Sequence, residues 1–154
     1  MTLTDRKIRF EIIAKLKEKT KEDVVKKIRR IKEILKNNIN DVIKSISTEN
    51  GTEFSGWRKM QEVLDTTVYF CHLYASYEKR TNEKHNGIIR YFIPKRAFIE
   101  NYSNKDIEKI ANWMNNYPRK IFGYRTPTEM LKEELNNDEL FNKIINIQKE
   151  LNVV

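Results

Sequence analysis

The chain has 154 residues, 39% of them apolar and 34% charged, with four glycines and three prolines. That is long enough to bury a core, and too apolar for a disordered segment. A single cysteine excludes an internal disulfide framework, and no apolar run approaches the roughly 18 residues of a membrane span.

The net charge of +8 is unevenly spread: residues 1–48 hold 14 Lys/Arg against 7 Asp/Glu, residues 129–154 hold 3 against 6. A basic front and an acidic tail favour a polyanionic partner such as nucleic acid, with solubility alone as the competing explanation. The start, MTLTDRKIRF, has no apolar h-region, so no signal peptide is expected, and the cysteine usage fits a reducing cytoplasm.

In chain order, Ile8, Phe10, Ile12, Ala14 and Leu16 alternate with Arg9, Glu11, Ile13 and Lys15. A period of two predicts a half-buried antiparallel strand, with Thr2 to Thr4 as a stub of its partner and Asp5-Arg6-Lys7 as the turn. Thr20 with Asp23 forms a helix start, and Val24, Ile28, Ile31 and Leu35 give that helix its apolar stripe. The cations on its other faces fit a solvated surface or a phosphate contact. Val42 to Thr48 reads as a continuous, central strand ending on the acidic turn Glu49-Asn50-Gly51-Thr52-Glu53. A short helix through Trp57, Met60 and Leu64 comes next, Trp57 belonging to the core.

A second strand, Thr67 to Phe70, leads through a polar loop to a helix expected to open at Asn82-Glu83. That helix aligns Glu83, Asn86, Gly87 and Arg90 on one side and turns Ile88, Ile89 and Phe92 to the core. Gly87 in mid-helix predicts a close approach by another backbone. Ser103 with Asp106, and Thr126-Pro127-Thr128-Glu129, mark two further helix starts. Leu140, Phe141, Ile144, Ile145, Gln148 and Leu151 describe a last amphipathic helix.

Working carboxylates of α/β folds sit at strand C-terminal ends and helix starts, so Glu49 and Glu83 are candidate ligands of a divalent metal. Thirty-three residues lie between them. The competing explanation is a turn residue and a helix N-terminal charge favoured by the macrodipole.

Three segments, STENGTEF, YFCHLYASYEKRTNEKHNGIIRYFIPK and NNYPRKIFGYRTPTEM, resemble the catalytic core of insertion-sequence transposases of the IS-thirty type. These are relatives of retroviral integrase with an Asp-Asp-Glu metal triad. The resemblance runs from about residue 2 to about residue 135, dividing the chain into an integrase-like core (1–135) and a C-terminal helix packed on it (136–154). It implies an α/β, ribonuclease-H-like core lacking its first strand, with additional C-terminal helices.

The implied function is DNA transposition and integration by metal-dependent phosphodiester cleavage and strand transfer. Carried over by position, Glu49 takes the place of the second carboxylate and Glu83 that of the third. His85, Asn86 and Gly87 match the family's residues just after that third carboxylate. The two glutamates would hold Mg²⁺ or Mn²⁺. Lys84, Arg90, Arg119 and Lys120 are expected at DNA phosphates. The partners implied are DNA and either a second copy or intact transposase subunits, in the bacterial cytoplasm at the nucleoid and away from membranes.

The departures shape the expectation. The family's first Asp lies on a strand upstream of Thr2, so the chain reads as a 5′-truncated copy. Glu49 stands where Asp is usual, longer by about 1.5 Å, and Arg80, Arg96 and Leu73 replace two glycines and a proline. Catalysis is therefore expected to be impaired; the alternative is a non-catalytic DNA-binding or oligomerisation remnant. Without the first strand, Ile8 to Leu16 is expected to pair with Val42 to Thr48 or with another chain.

Overall fold

A computed structural model of the chain describes residues 1–72 and 76–152, with the backbone alone at 76–79. Leu73 lies outside the described residues. The fold is α/β with two separate two-stranded sheets. It divides into two compact units: Met1–Lys15 together with Arg80–Val154, and Leu16–Lys79.

Unit one begins with a hairpin. Strand β1 (Thr2–Thr4) runs antiparallel to β2 (Glu11–Ile13), with Thr4 opposite Glu11 and Thr2 opposite Ile13. The ladder continues one pair further at each end. The Met1 ammonium donates to the Ala14 carbonyl at 2.8 Å, and the Asp5 N–H donates to the Phe10 carbonyl at 2.8 Å. The Asp5 carboxylate also accepts from the Lys7 and Ile8 N–H groups, which fixes the turn locally.

Arg9 closes the turn at φ 62°, a left-handed conformation that is costly for a residue with a Cβ. Two differences from the expected Ile8–Leu16 strand follow. The regular strand is only three residues long, and both of its faces are covered: Ile8, Phe10 and Ala14 are buried as expected, but so are Glu11 and Ile13, while Ile12 is half-buried.

The predicted pairing of this strand with Val42–Thr48 is not found, because β2 has β1 on one edge and side-chain amides on the other. Asn115 accepts from the Glu11 N–H at 2.7 Å and donates to the Glu11 carbonyl at 2.8 Å. Gln148 does the same for Ile13, at 2.8 Å each way. Asn152 donates to the Ile13 carbonyl at 2.9 Å and accepts from the Lys15 N–H at 2.8 Å. An amide carries a donor and an acceptor side by side, so it can stand in for a strand's backbone pair and leave no buried group orphaned.

Four helices complete this unit: α4 (Ser76–Phe92, entering it at Arg80), α5 (Asn104–Asn116), α6 (Pro127–Leu135) and α7 (Asp138–Glu150). Reciprocal capping boxes open α5 (Ser103 and Asp106) and α6 (Thr126 and Glu129, with Pro127 in the first turn), as the local sequence requires. The core joins Ile13 of β2 to Ile89 and Ile93 and to Ile107, Ile110, Ala111 and Met114 of α5. Helix α7 packs on α5, α6 and β2.

In unit two, α1 (Lys21–Leu35) starts where predicted, the Thr20 hydroxyl accepting from the Asp23 N–H at 3.3 Å. Val24, Val25, Ile28, Ile31 and Leu35 are buried, and α3 (Trp57–Leu64) packs against them. A Cβ at Gly56 would meet Lys21 and Val25 side-chain atoms at 3.3 Å, so a small residue there lets the two helices approach. Trp57 is half-buried, edge-on to Phe70 at 5.8 Å.

Strand β3 (Ser45–Thr48) runs parallel to β4 (Thr67–Phe70), so β3, α3 and β4 make a crossover unit. The strand expected from Val42 begins three residues later, because Ile39–Val42 closes a short helix, α2. Among the described residues it is one of a pair and not the centre of a sheet.

Candidate functional site

Glu49 comes directly after the last residue of β3 and is exposed. The Thr48 hydroxyl donates to the Glu49 carbonyl at 2.8 Å, holding the backbone at the strand tip. Its neighbour Glu53 behaves differently. That side chain is largely covered, folds over Gly51 and takes an ion pair from Lys19 at 3.2 Å. A Cβ on Gly51 would fall 2.5 Å from the Glu53 carboxylate, so a larger residue there would push that side chain out of its place over the turn. Among the described residues the Glu49 carboxylate makes no ion pair, so the acidic turn holds one tethered and one available carboxylate.

Glu83 is also exposed and without an ion pair among the described residues. Its helix does not open at Asn82: α4 starts six residues earlier, at Ser76, since the intervening Glu78, Lys79 and Arg80 are good helix formers. Glu83 therefore stands in the second turn or beyond, where the macrodipole has faded, and helix-end electrostatics no longer explain it. Gly87, exposed on the same helix, has nothing within 4 Å of where a Cβ would stand. The expected close backbone approach is absent because that face of the helix is open.

Glu49 belongs to unit two and Glu83 to unit one. Among the described residues no group of three His, Cys, Asp or Glu side chains is placed to hold a metal ion.

A cluster of cations lies within unit one. A cavity of about 280 Å³ is lined by Arg9, Arg80, Lys84 and Arg119, with Thr81 and His85 between them. Positions 80, 84 and 81, 85 follow the i, i+4 spacing of one helix face. The hairpin supplies Arg9, whose guanidinium donates to the Thr81 hydroxyl at 2.7 Å. The short helical turn after α5 supplies Arg119, which donates from Nη2 to the Met114 carbonyl at 3.1 Å and lies over the Tyr117 ring at 5.5 Å. Burial holds the Arg119 guanidinium below its ordinary pKa, opposed by Tyr117 and Glu11.

Behind the cavity stands a buried pair. His85 Nδ1 lies 2.7 Å from Glu11 Oε2, which also accepts from the Thr4 hydroxyl at 2.6 Å. Both side chains are almost wholly enclosed, at 7% and 0% exposure, the degree at which an unpartnered charge could not be sustained. Within this unit Glu11 Oε1 and Arg119 Nε are buried without a hydrogen-bond partner among the described residues, as is Glu53 Oε2 in the other unit.

Of the four cations expected at phosphates, Lys84 and Arg119 share this cavity, while Arg90 and Lys120 are exposed and do not line it. Arg9, His85 and Glu11 were not singled out by residue pattern for such a role. Their partners lie 72 to 104 residues away, and only an excess of Arg and Lys in the flanking segments hinted at the cluster.

No family model matches the chain. Among curated proteins it is similar to the "Transposase for insertion sequence element IS4351" of Bacteroides fragilis, 38% identical over 102 residues, or 66% of this chain and 31% of that one. It is similar to the "Probable transposase for insertion-like sequence element IS1161" of Streptococcus salivarius, 36% identical over 86% of this chain and 36% of the relative. It is likewise similar to the "Transposase InsI for insertion sequence element IS30A" of Escherichia coli (strain K12), 30% identical over 85% of this chain and 33% of the relative. The chain spans about a third of the length of each.

Proposed function

The chain belongs to the insertion-sequence transposases of the IS30 type, and on that premise we propose that it is part of the DNA-processing core of such a protein. In this reading the core is ribonuclease-H-like and acts in DNA transposition and integration. Glu49 and Glu83 are its metal-binding carboxylates, and Lys84, Arg90, Arg119 and Lys120 meet DNA phosphates. The work is done at the bacterial nucleoid; no helix among the described residues is long and apolar enough to cross a membrane.

The observation that carries the reading is the parallel β3–α3–β4 crossover, with an available carboxylate one residue past β3 and a second on the helix after β4. Hard divalent cations such as Mg²⁺ or Mn²⁺ take carboxylate oxygens, and neither group has a competing cation among the described residues. Glu49 and Glu83 would hold such a metal, which would supply positive charge for displacement at a phosphodiester. Two carboxylates are too few to fix it alone, and the described residues supply no group of three. The chain's own contribution is therefore strand positioning, with slow or absent cleavage.

Supercoiled-plasmid nicking in Mn²⁺ tests this. Nicking lost in both Glu49→Gln and Glu83→Gln supports catalysis. Silence from all three proteins, with salt-sensitive retention of DNA, favours the non-catalytic DNA-binding form that the basic cavity suggests. Failure of both nicking and retention ends the proposal.

A further inference from the structure

We propose that the cavity between Arg9, Arg80, Lys84 and Arg119 is a phosphate-binding site, and that it takes one backbone phosphate of a DNA strand. That the site binds phosphate stands on the cavity alone; that the phosphate belongs to DNA rests on the transposase reading above.

Four cations converge on about 280 Å³, and no carboxylate lines the space among the described residues. Arg80 and Lys84 are a like-charge pair at i, i+4, an arrangement that works against its own helix unless an anion lies between them. Arg119 Nε is buried and has no hydrogen-bond partner among the described residues, and leaving a buried donor unbonded costs free energy. Arg9 is held in a left-handed conformation where it meets Thr81, and backbone strain of that kind collects at binding sites.

His85 lines the cavity with Nδ1 committed to Glu11. The Glu11 carboxylate thus sets the ring's orientation at the cavity wall. Guanidinium forks match the paired oxygens of phosphate, and three of the four cations are arginines. The volume falls just under the roughly 300 Å³ at which small-molecule sites begin, which suits one phosphate group better than a nucleotide cofactor.

The test uses the full chain with inorganic phosphate, a single-stranded oligothymidylate, and the same oligomer with a neutral methylphosphonate backbone. Binding is read from the Arg119 Nε–H resonance and from fluorescence anisotropy. Expected is a saturable shift of that resonance with phosphate, competition by the charged oligomer, and none by the neutral one. Arg119→Gln should weaken the oligomer about tenfold. Because that change also removes the bond to Met114, Arg80→Gln and Lys84→Gln, both at exposed positions, serve as controls of fold. Each should lower the salt slope of binding by about one.

An unmoved Arg119 resonance overturns the site, as does oligomer affinity indifferent to all three substitutions. Phosphate binding without competition from the charged oligomer overturns its assignment to a strand. Absent nicking with intact phosphate binding would refute the catalytic reading and leave the cavity standing.

Discussion

The two sheets each carry a glutamate at one strand end, and the two live under opposite conditions. Glu11 opens β2 and is fully enclosed, its carboxylate held by His85 and Thr4 and its backbone by Asn115. Glu49 comes after β3, stands in solvent and makes no ion pair among the described residues. A buried carboxylate is kept only where it is paired: Glu11 Oε2 is committed to His85 and Thr4, and Oε1 is enclosed without a partner among the described residues. An exposed one contributes little to folding and keeps its oxygens free. The same residue type is thus a fastening in one unit and an available ligand in the other.

The largest test of that contrast is Glu11→Ala. Removing one member of a buried pair should cost about 3–5 kcal/mol in urea denaturation, and a cost under about 1 kcal/mol would show that the enclosure is not what holds it. Asn115→Leu strips the Glu11 N–H and carbonyl of their partners and should cost about 2–3 kcal/mol. Next comes the open face of the helix that carries His85: Gly87→Ala should stabilise by about 0.5–1 kcal/mol, since nothing occupies the space of the new Cβ. Glu49→Gln and Glu83→Gln should move stability by less than about 0.5 kcal/mol while acting on nicking.

Glu129 is an intermediate case: exposed, yet hydrogen-bonded. The Thr126 backbone N–H, and then its hydroxyl, hold the Glu129 carboxyl below its ordinary value of 4.5. A depressed folded pKa stabilises above the unfolded value and loses that contribution as pH falls through the folded one. Glu129→Gln should therefore lower thermal stability slightly at neutral pH and flatten the acid limb below about pH 4.5. An acid limb identical in both proteins would place the effect elsewhere.

What could be read from sequence was what is decided within a few residues. Thr20, Ser103 and Thr126 cap the helices they were expected to cap, and α3 and β4 have the predicted bounds. Gln148, read on the inward stripe of the last helix, is indeed buried. Where distant residues decide, the local pattern misled. Alternation turned Glu11 outward because His85 and Asn115, 74 and 104 residues on, are invisible to a short window. The strand drawn from Val42 lost its first residues to a helical turn, short apolar runs being ambiguous between the two states. Glu49 and Glu83 were read from a strand end and an expected helix start, and the resemblance to a family matched them by position to its carboxylates. The basic cavity needed coordinates, because hairpin, helix and turn each contribute cations to it.

The order of the units along the chain has a consequence for synthesis. The hairpin is made before Gln148 and Asn152, which cover its edge and are joined to Ile13 across 135 and 139 positions. On the ribosome, Leu16–Lys79 can collapse from nearby contacts as it emerges, whereas the opening strands must wait for the final helix. A nascent chain stalled before Gln148 would hold one finished unit and a protease-sensitive beginning, which limited digestion of arrested chains would reveal.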